Sequence, residues 1–219
     1  MSRSVAASFR GRDLALDLLD PDSEHLVRLF SRAGGEWKPP KPEERKARVD
    51  PPSGHKRAFA VLYLGNTLPT VAIECGILHA DHADRYTWST DRAKRYRVAR
   101  YAFSKPGLFV PIDGPNRRIL GLEGSQRSFG SYAPYQSVAL ELFERYGKVV
   151  HGLSWESFHR NQPGRVYALW HHHKRTIGLR LFDSPSSGSD PRFPRLFDDR
   201  EWSAFLTANP QVEAIDPSP

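Results

Sequence analysis

The stretch FAVLYLGNTLPTVAIE, residues 59–74, constrains the fold more than any other part of the chain. Residues 59–64 are a short apolar run rich in strand-forming side chains, with the length of a central strand. Gly65 and Asn66 break the run. Thr67 then stands where a helix cap is needed, and Pro69 is tolerated in the first helical turn. The expectation is a buried strand, a tight turn, and a helix continuing to about residue 80. Two polar groups sit inside this apolar frame, the phenol of Tyr63 and the carboxylate of Glu74. A carboxylate on the apolar side of a helix is costly unless it is paired or used. A half-exposed Glu is the ordinary alternative.

Size and charge narrow the classes. A chain of 219 residues with 39% hydrophobic content is long enough for one cored domain with elaborations. Lys and Arg number 32 against 25 Asp and Glu, a net of +7 that favours an anionic partner: a dinucleotide, a nucleic acid or an acidic protein. The cations are scattered rather than gathered in one block, which counts against nucleic acid. Cys75 is the single cysteine, so neither an internal disulfide nor a Cys-rich zinc site is available. A lone cysteine fits a reducing compartment. No apolar run approaches the roughly 20 residues of a membrane helix, and the first residues lack the apolar core of a signal peptide. A soluble cytoplasmic protein is expected.

Taken in order, residues 1–11 read as a loose basic tail and residues 13–19 as a short helix. Residues 25–30, HLVRLF, read as a strand carrying Arg28 in its middle, where an edge position facing water is the plain explanation. Residues 34–56 have no apolar period and read as a long loop, either functional or solvated. His79, Asp81, His82 and Asp84 crowd one helix end without a completing distant ligand, so no metal is expected. Residues 91–100, DRAKRYRVAR, are basic with Tyr96 interleaved and Tyr101 following, read as an exposed face with nucleic-acid binding as the alternative. Two strands are expected at 101–103 and 108–112, joined by a turn at Lys105–Gly107. GLEGSQRSFG has no Walker spacing.

Residues 131–146 form the clearest helix, capped by Ser131 and ended by Gly147, with an apolar stripe through Val138, Ala139, Leu142 and Phe143. A strand at 149–155 follows. Residues 165–170 and 176–182 read as a hairpin around HHHKR. The three histidines are consecutive and cannot all face one side of a strand, so a turn or surface role is expected. A short helix at 198–208 docks through Trp202 and Phe205, and the last residues read as a tail.

The segment LYLGNTLPTVAIE resembles the core motif of the RES family, toxins and related enzymes that consume NAD on an ADP-ribosyltransferase-like fold. Three further segments resemble that family in the same order. Arg28 matches the Arg of its opening strand. ARVDPPSG resembles its second Arg element, with Arg48 the match, although Val49 stands where an aromatic is usual and GHKRAFA lengthens the gap to the core strand. That departure makes Arg57 a rival. YQSVALELFERYGKVVHGLSWES resembles the segment in which a Gln-led helix feeds a strand ending in Ser, with Ser157 the match. Some members use a Ser or Thr nearer the helix start, here Ser131, with Gln136 in support. The resemblance spans roughly residues 26–170.

The resemblance implies a single α+β domain, a mixed split-sheet sandwich over residues 23–182, preceded by an extension (1–22) and followed by a loop, short helix and tail (183–219). It implies NAD as substrate. Arg28 and Arg48 would hold the pyrophosphate, Tyr63 would wall the nicotinamide, and Glu74 would bind the ribose and stabilise positive charge as the C–N bond breaks. Ser157 would orient the nicotinamide end. It also implies a cognate antitoxin protein, with a homo-oligomer possible, and leaves the acceptor open among water, phosphate and a protein side chain.

Overall fold

The computed structural model describes residues 8–21, 25–80, 86–123, 131–157, 164–182 and 193–215. It is a single mixed α+β domain. A small hairpin, β1 (Ser8–Phe9) with β2 (Arg12–Asp13), opens the chain. An eight-stranded sheet follows, built from β3 (Asp17–Leu19), β4 (Leu26–Phe30), β5 (Val61–Gly65), β8 (Arg97–Ala102), β9 (Gly107–Pro111), β10 (Gly152–Glu156), β11 (Arg165–Trp170) and β12 (Arg180–Leu181). Its order is β12-β8-β4-β5-β11-β10-β9-β3. Strands β6 (Leu78–Ala80), β7 (Tyr86–Ser89) and β13 (Glu213–Ile215) make a second sheet in the order β13-β7-β6.

The large sheet is split in its middle. β5 and β11 pair along five residues, and so do β4 and β8, but β4 and β5 meet only at Val27 opposite Gly65. Beyond that pair the two halves part and leave a cleft between them. The expected motif lies on one side of it. Within β5 the side chains alternate: Val61 and Tyr63 face the core that holds Val138, Ala139 and Leu142, while Leu62 and Leu64 face a second core with Tyr101, Phe109 and Tyr167.

Helix α1 (Leu68–Glu74) starts as the sequence indicates. Thr67 Oγ1 accepts the Thr70 N–H at 3.2 Å, and Pro69 lies in the first turn. It stops earlier than expected. Gly76 takes a left-handed φ of +62°, and the chain leaves the helix to bury Ile77 and Leu78. Helices α2 (Thr90–Arg95) and α3 (Gly114–Ile119) are short. Helix α4 (Ala133–Tyr146) packs Tyr135, Val138, Ala139 and Leu142 against β10 and β11. Helix α5 (Arg200–Ala208), capped by Asp199, inserts Trp202 into the core that α1 and Trp88 share.

Other expectations are corrected by long-range pairing. The region expected as a helix at 13–19 is the strand β3, which finds its partner in β9. β8 and β9 are consecutive but lie in opposite halves of the sheet, so the segment between them is a crossover rather than a hairpin turn. β11 and β12 form no hairpin either, because β12 pairs with β8. Residues 213–215, expected in a tail, pair with β7. Asp81, His82 and Asp84 lie outside the described residues.

The histidine run is a 3₁₀ turn, His171–His173, and His173 is buried rather than on the surface. Nε2 of His172 and of His173 both face the Gly147 carbonyl, at 3.0 and 2.7 Å. His151 Nδ1 accepts the Leu108 N–H at 2.8 Å. Burial, followed by the neighbouring His173, pulls the His151 pKa down to about 4, and burial with Lys174 and nearby arginines pulls His171 down to about 3. Both are neutral when folded and take up protons on unfolding below their ordinary value of 6.5. The stability these two histidines contribute should therefore be full above that pH and be lost progressively as pH falls from 6.5 towards 4 for His151 and 3 for His171. Urea unfolding at pH 7 and pH 5 checks this: His171→Asn should narrow the difference between the two midpoints, and an unchanged difference would remove His171 from the account.

Candidate functional site

A cavity of about 520 Å³ opens where the sheet splits. β4 contributes Arg28, Leu29 and Phe30 to its wall, β5 contributes Tyr63 and Leu64, and α1 contributes Val71, Ile73 and Glu74. The cations are Arg28, Arg32 and Arg48, against the single carboxylate of Glu74. That balance suits an anionic ligand.

Arg28 bridges the split. Its Nε donates to the Gly35 carbonyl at 3.0 Å, and Nη1 to the Tyr63 carbonyl at 2.9 Å. A guanidinium thus does across the gap what a strand ladder does elsewhere in the sheet. Burial pulls its pKa down, but a guanidinium stays charged at neutral pH. Arg28 is therefore not the water-facing edge residue of the plain explanation.

Tyr63 is fixed at both ends. Its hydroxyl donates to Asp50 Oδ1 at 3.2 Å, and its ring meets Trp155 edge-on, with centroids 6.3 Å apart. Burial first, then the Asp50 charge, pushes the phenol well above its usual pKa, so it stays neutral. Asp50 is itself buried and accepts the Ala47 N–H at 2.8 Å. Burial raises its pKa against the opposing hydrogen bonds from Ala47 and Tyr63. Asp50 escaped notice in the sequence because ARVDPPSG drew attention to its arginine.

Glu74 is the last residue of α1, an end where the helix dipole favours cations. Its side chain opens to the cavity, yet the walls strip enough water to raise its pKa, with Arg48 and Trp155 pulling the other way. The adjoining Cys75 thiol is pushed up to about 11 by burial, opposed by Arg28 and reinforced by Glu74. It is protonated at neutral pH and a poor nucleophile.

The long loop is tied down by a buried arginine and a half-buried lysine. Arg45 donates to the carbonyls of Pro40, Lys56 and Phe59, and Lys56 to those of Arg45 and Pro51. Gln136 on α4 ties the loop down by donating to the Ala47 carbonyl at 2.9 Å. Arg48 is thereby held over the rings of Tyr132 and Tyr135, 5.4 Å from each centroid.

Of the residues singled out in the sequence, Arg28, Arg48, Tyr63 and Glu74 share the cavity wall. Ser157, Ser131, Gln136 and Arg57 do not line it. Ser157 is buried beyond the end of β10, with its N–H donating to Gly164. Ser131 Oγ accepts the Ala133 N–H, but Ser131 lies one residue ahead of the cap position of α4, which is Tyr132 and not Ser131 as expected. Arg57 is exposed. Arg32, Tyr96, Tyr132 and Trp155 line the cavity and were not singled out; the aromatic ones read in sequence as ordinary core or surface.

Several cations of the basic stretch 91–100 are spent inside the protein. Arg92 donates to the Gly76 carbonyl, Arg97 to that of Phe193, and Arg100 pairs with Asp199 and Glu201. Among the described residues no cluster of His, Cys, Asp and Glu could hold a metal ion, and no helix is long and apolar enough to cross a membrane.

No protein-family model matches the sequence, and no curated protein does. The structure is similar to a chain in the crystal structure of the M. tuberculosis MbcT–MbcA toxin–antitoxin complex. Identity is 18% and the TM-score 0.50, over 73% of this chain and 81% of that one. At that identity the likeness is one of fold: this chain is built as a chain of a toxin–antitoxin complex is built.

Proposed function

We propose that the protein is a RES-type, toxin-like enzyme that binds NAD in the cleft and breaks its nicotinamide–ribose bond. One observation carries this reading: four residues far apart in sequence, Arg28, Arg48, Tyr63 and Glu74, come together on one cavity at the split of the sheet. The cavity volume of about 520 Å³ is in the range of small-molecule and cofactor sites. Arg28 and Arg48 hold the pyrophosphate, with Arg32 at hand as a third cation. Tyr63, neutral and locked by Asp50, walls the nicotinamide. Glu74 engages the ribose hydroxyls. As the C–N bond lengthens, its electron pair leaves with nicotinamide and positive charge grows on the ribose; the Glu74 carboxylate stabilises that charge. Water, phosphate or a protein side chain then captures the sugar. Ser157 supports the strand end behind the wall rather than touching substrate.

The fold likeness to a chain of a toxin–antitoxin complex supports a cognate antitoxin as partner, and the net charge of +7 suits an acidic one. A non-enzymatic nucleic-acid module is the weaker reading, because Arg92, Arg97 and Arg100 of the basic stretch are engaged within the protein.

The test is NAD consumption by the purified protein, with and without inorganic phosphate, with products resolved. Loss that requires phosphate is expected of a phosphorylase, and loss without it of a hydrolase. Intact NAD in both conditions, and no ADP-ribose transferred to protein, would overturn the enzyme reading.

A further inference from the structure

The wall of the cavity contains a buried donor that the roles above do not use. Trp155 stands in the middle of the sheet on β10, between β9 and β11, and its ring is 1% exposed. Its indole Nε1 is shut off from solvent and closes no hydrogen bond among the described residues. A buried N–H left unpaired is costly. The indoles of Trp170 and Trp202 are also unpaired, but neither lines the cavity. Trp155 does, on the same wall as Glu74 and near enough for its N–H to lower that carboxyl's pKa, although the pair closes no hydrogen bond of normal geometry.

Glu74 is the side chain that needs such a partner. It occupies the last position of a seven-residue helix, and its exposed side chain opens into the cavity. Trp155 is held rigidly by its strand and by the edge contact with Tyr63, at an interplanar angle of 68°. A donor held rigidly beside a reacting group is what fixes that group's orientation.

We propose that Trp155 is a positioning residue for Glu74: the indole N–H donates to one carboxylate oxygen and turns the other towards the ribose. This rests on the reading of the cleft as an NAD-cleaving site. The enclosed Trp155 nitrogen does not itself reach substrate. It acts by holding the charged form of Glu74 in one orientation. Arg48 and the Cys75 thiol are the other ionisable groups beside that carboxylate.

Trp155→Phe keeps the ring and removes the donor. It should lower kcat for NAD about tenfold, leave KM within about twofold, and move the acid limb of the pH–rate profile up by about one unit, because a donor to the charged form is lost. A merely structural tryptophan would not move that limb, and an unmoved limb with unchanged kcat overturns the proposal. A second measurement needs neither activity nor that variant to fold. In ¹⁵N-labelled protein, the Trp155 indole resonance should titrate with Glu74 and shift in Glu74→Ala. A resonance indifferent to both overturns the proposal. If the resonance responds while the parent chain leaves NAD intact, the contact stands and the NAD-cleaving reading fails.

Discussion

Glu74→Gln should lower kcat/KM for NAD cleavage about a thousandfold while the protein unfolds at the same temperature as the parent chain. The magnitude follows from what the side chain is asked to do. A neutral amide of the same shape still hydrogen-bonds the ribose, so substrate binding falls little. It offers no charge to the sugar cation, so the transition state loses its main counterion within a cavity that otherwise carries arginines. The fold should not notice, because the Glu74 side chain faces the cavity rather than the packed core. Product-resolved NAD turnover and a thermal melt on the same preparation decide the matter. Undiminished turnover would sink the assignment, and a melt lowered in step with activity would make Glu74 structural.

The second large effect is of the opposite kind. Arg28→Lys should lower stability by about 2 kcal/mol and impair NAD binding together. The guanidinium satisfies the carbonyls of Gly35 and Tyr63 with two differently directed N–H groups. An ammonium on a flexible stem can reach one of them, and the other is left without its donor across a part of the sheet where β4 and β5 make no ladder. The urea midpoint measures this. A midpoint equal to that of the parent chain would mean that the bridge contributes nothing, and that Arg28 serves the ligand alone.

The two residues differ in how visible they were in the sequence. The β5–turn–α1 unit was legible because everything that makes it is local: an apolar run, a breaking Gly-Asn, a capping Thr67 and a Pro69 in the first turn. Arg28, Arg48, Tyr63 and Glu74 could be picked out as polar groups in an ordered series of motifs. The bridging work of Arg28 could not, since its acceptors are backbone carbonyls, and nothing in a sequence marks a carbonyl as unpaired. Pairing choices were hidden for the same reason. β3 has no helical or strand period strong enough to declare itself, and β9 decides its state. β12 follows β11 closely in sequence but joins β8, because register and partner are settled by the whole sheet. At the site, attention to Ser157 concealed Trp155 two residues earlier. A tryptophan in a buried strand reads as packing, and only its enclosed, unpaired nitrogen beside a carboxylate says otherwise.

The seam between β4 and β5 makes ligand occupancy and mechanical integrity one quantity. Elsewhere in the sheet, neighbouring strands are laced by their own backbones. Here the lacing is a single residue pair and one side chain. A dinucleotide lying in the cleft, gripped from β4 on one bank and from β5 and α1 on the other, would act as a missing rung. It would stiffen the molecule along the line where the backbone leaves it weakest, and its departure would return that compliance.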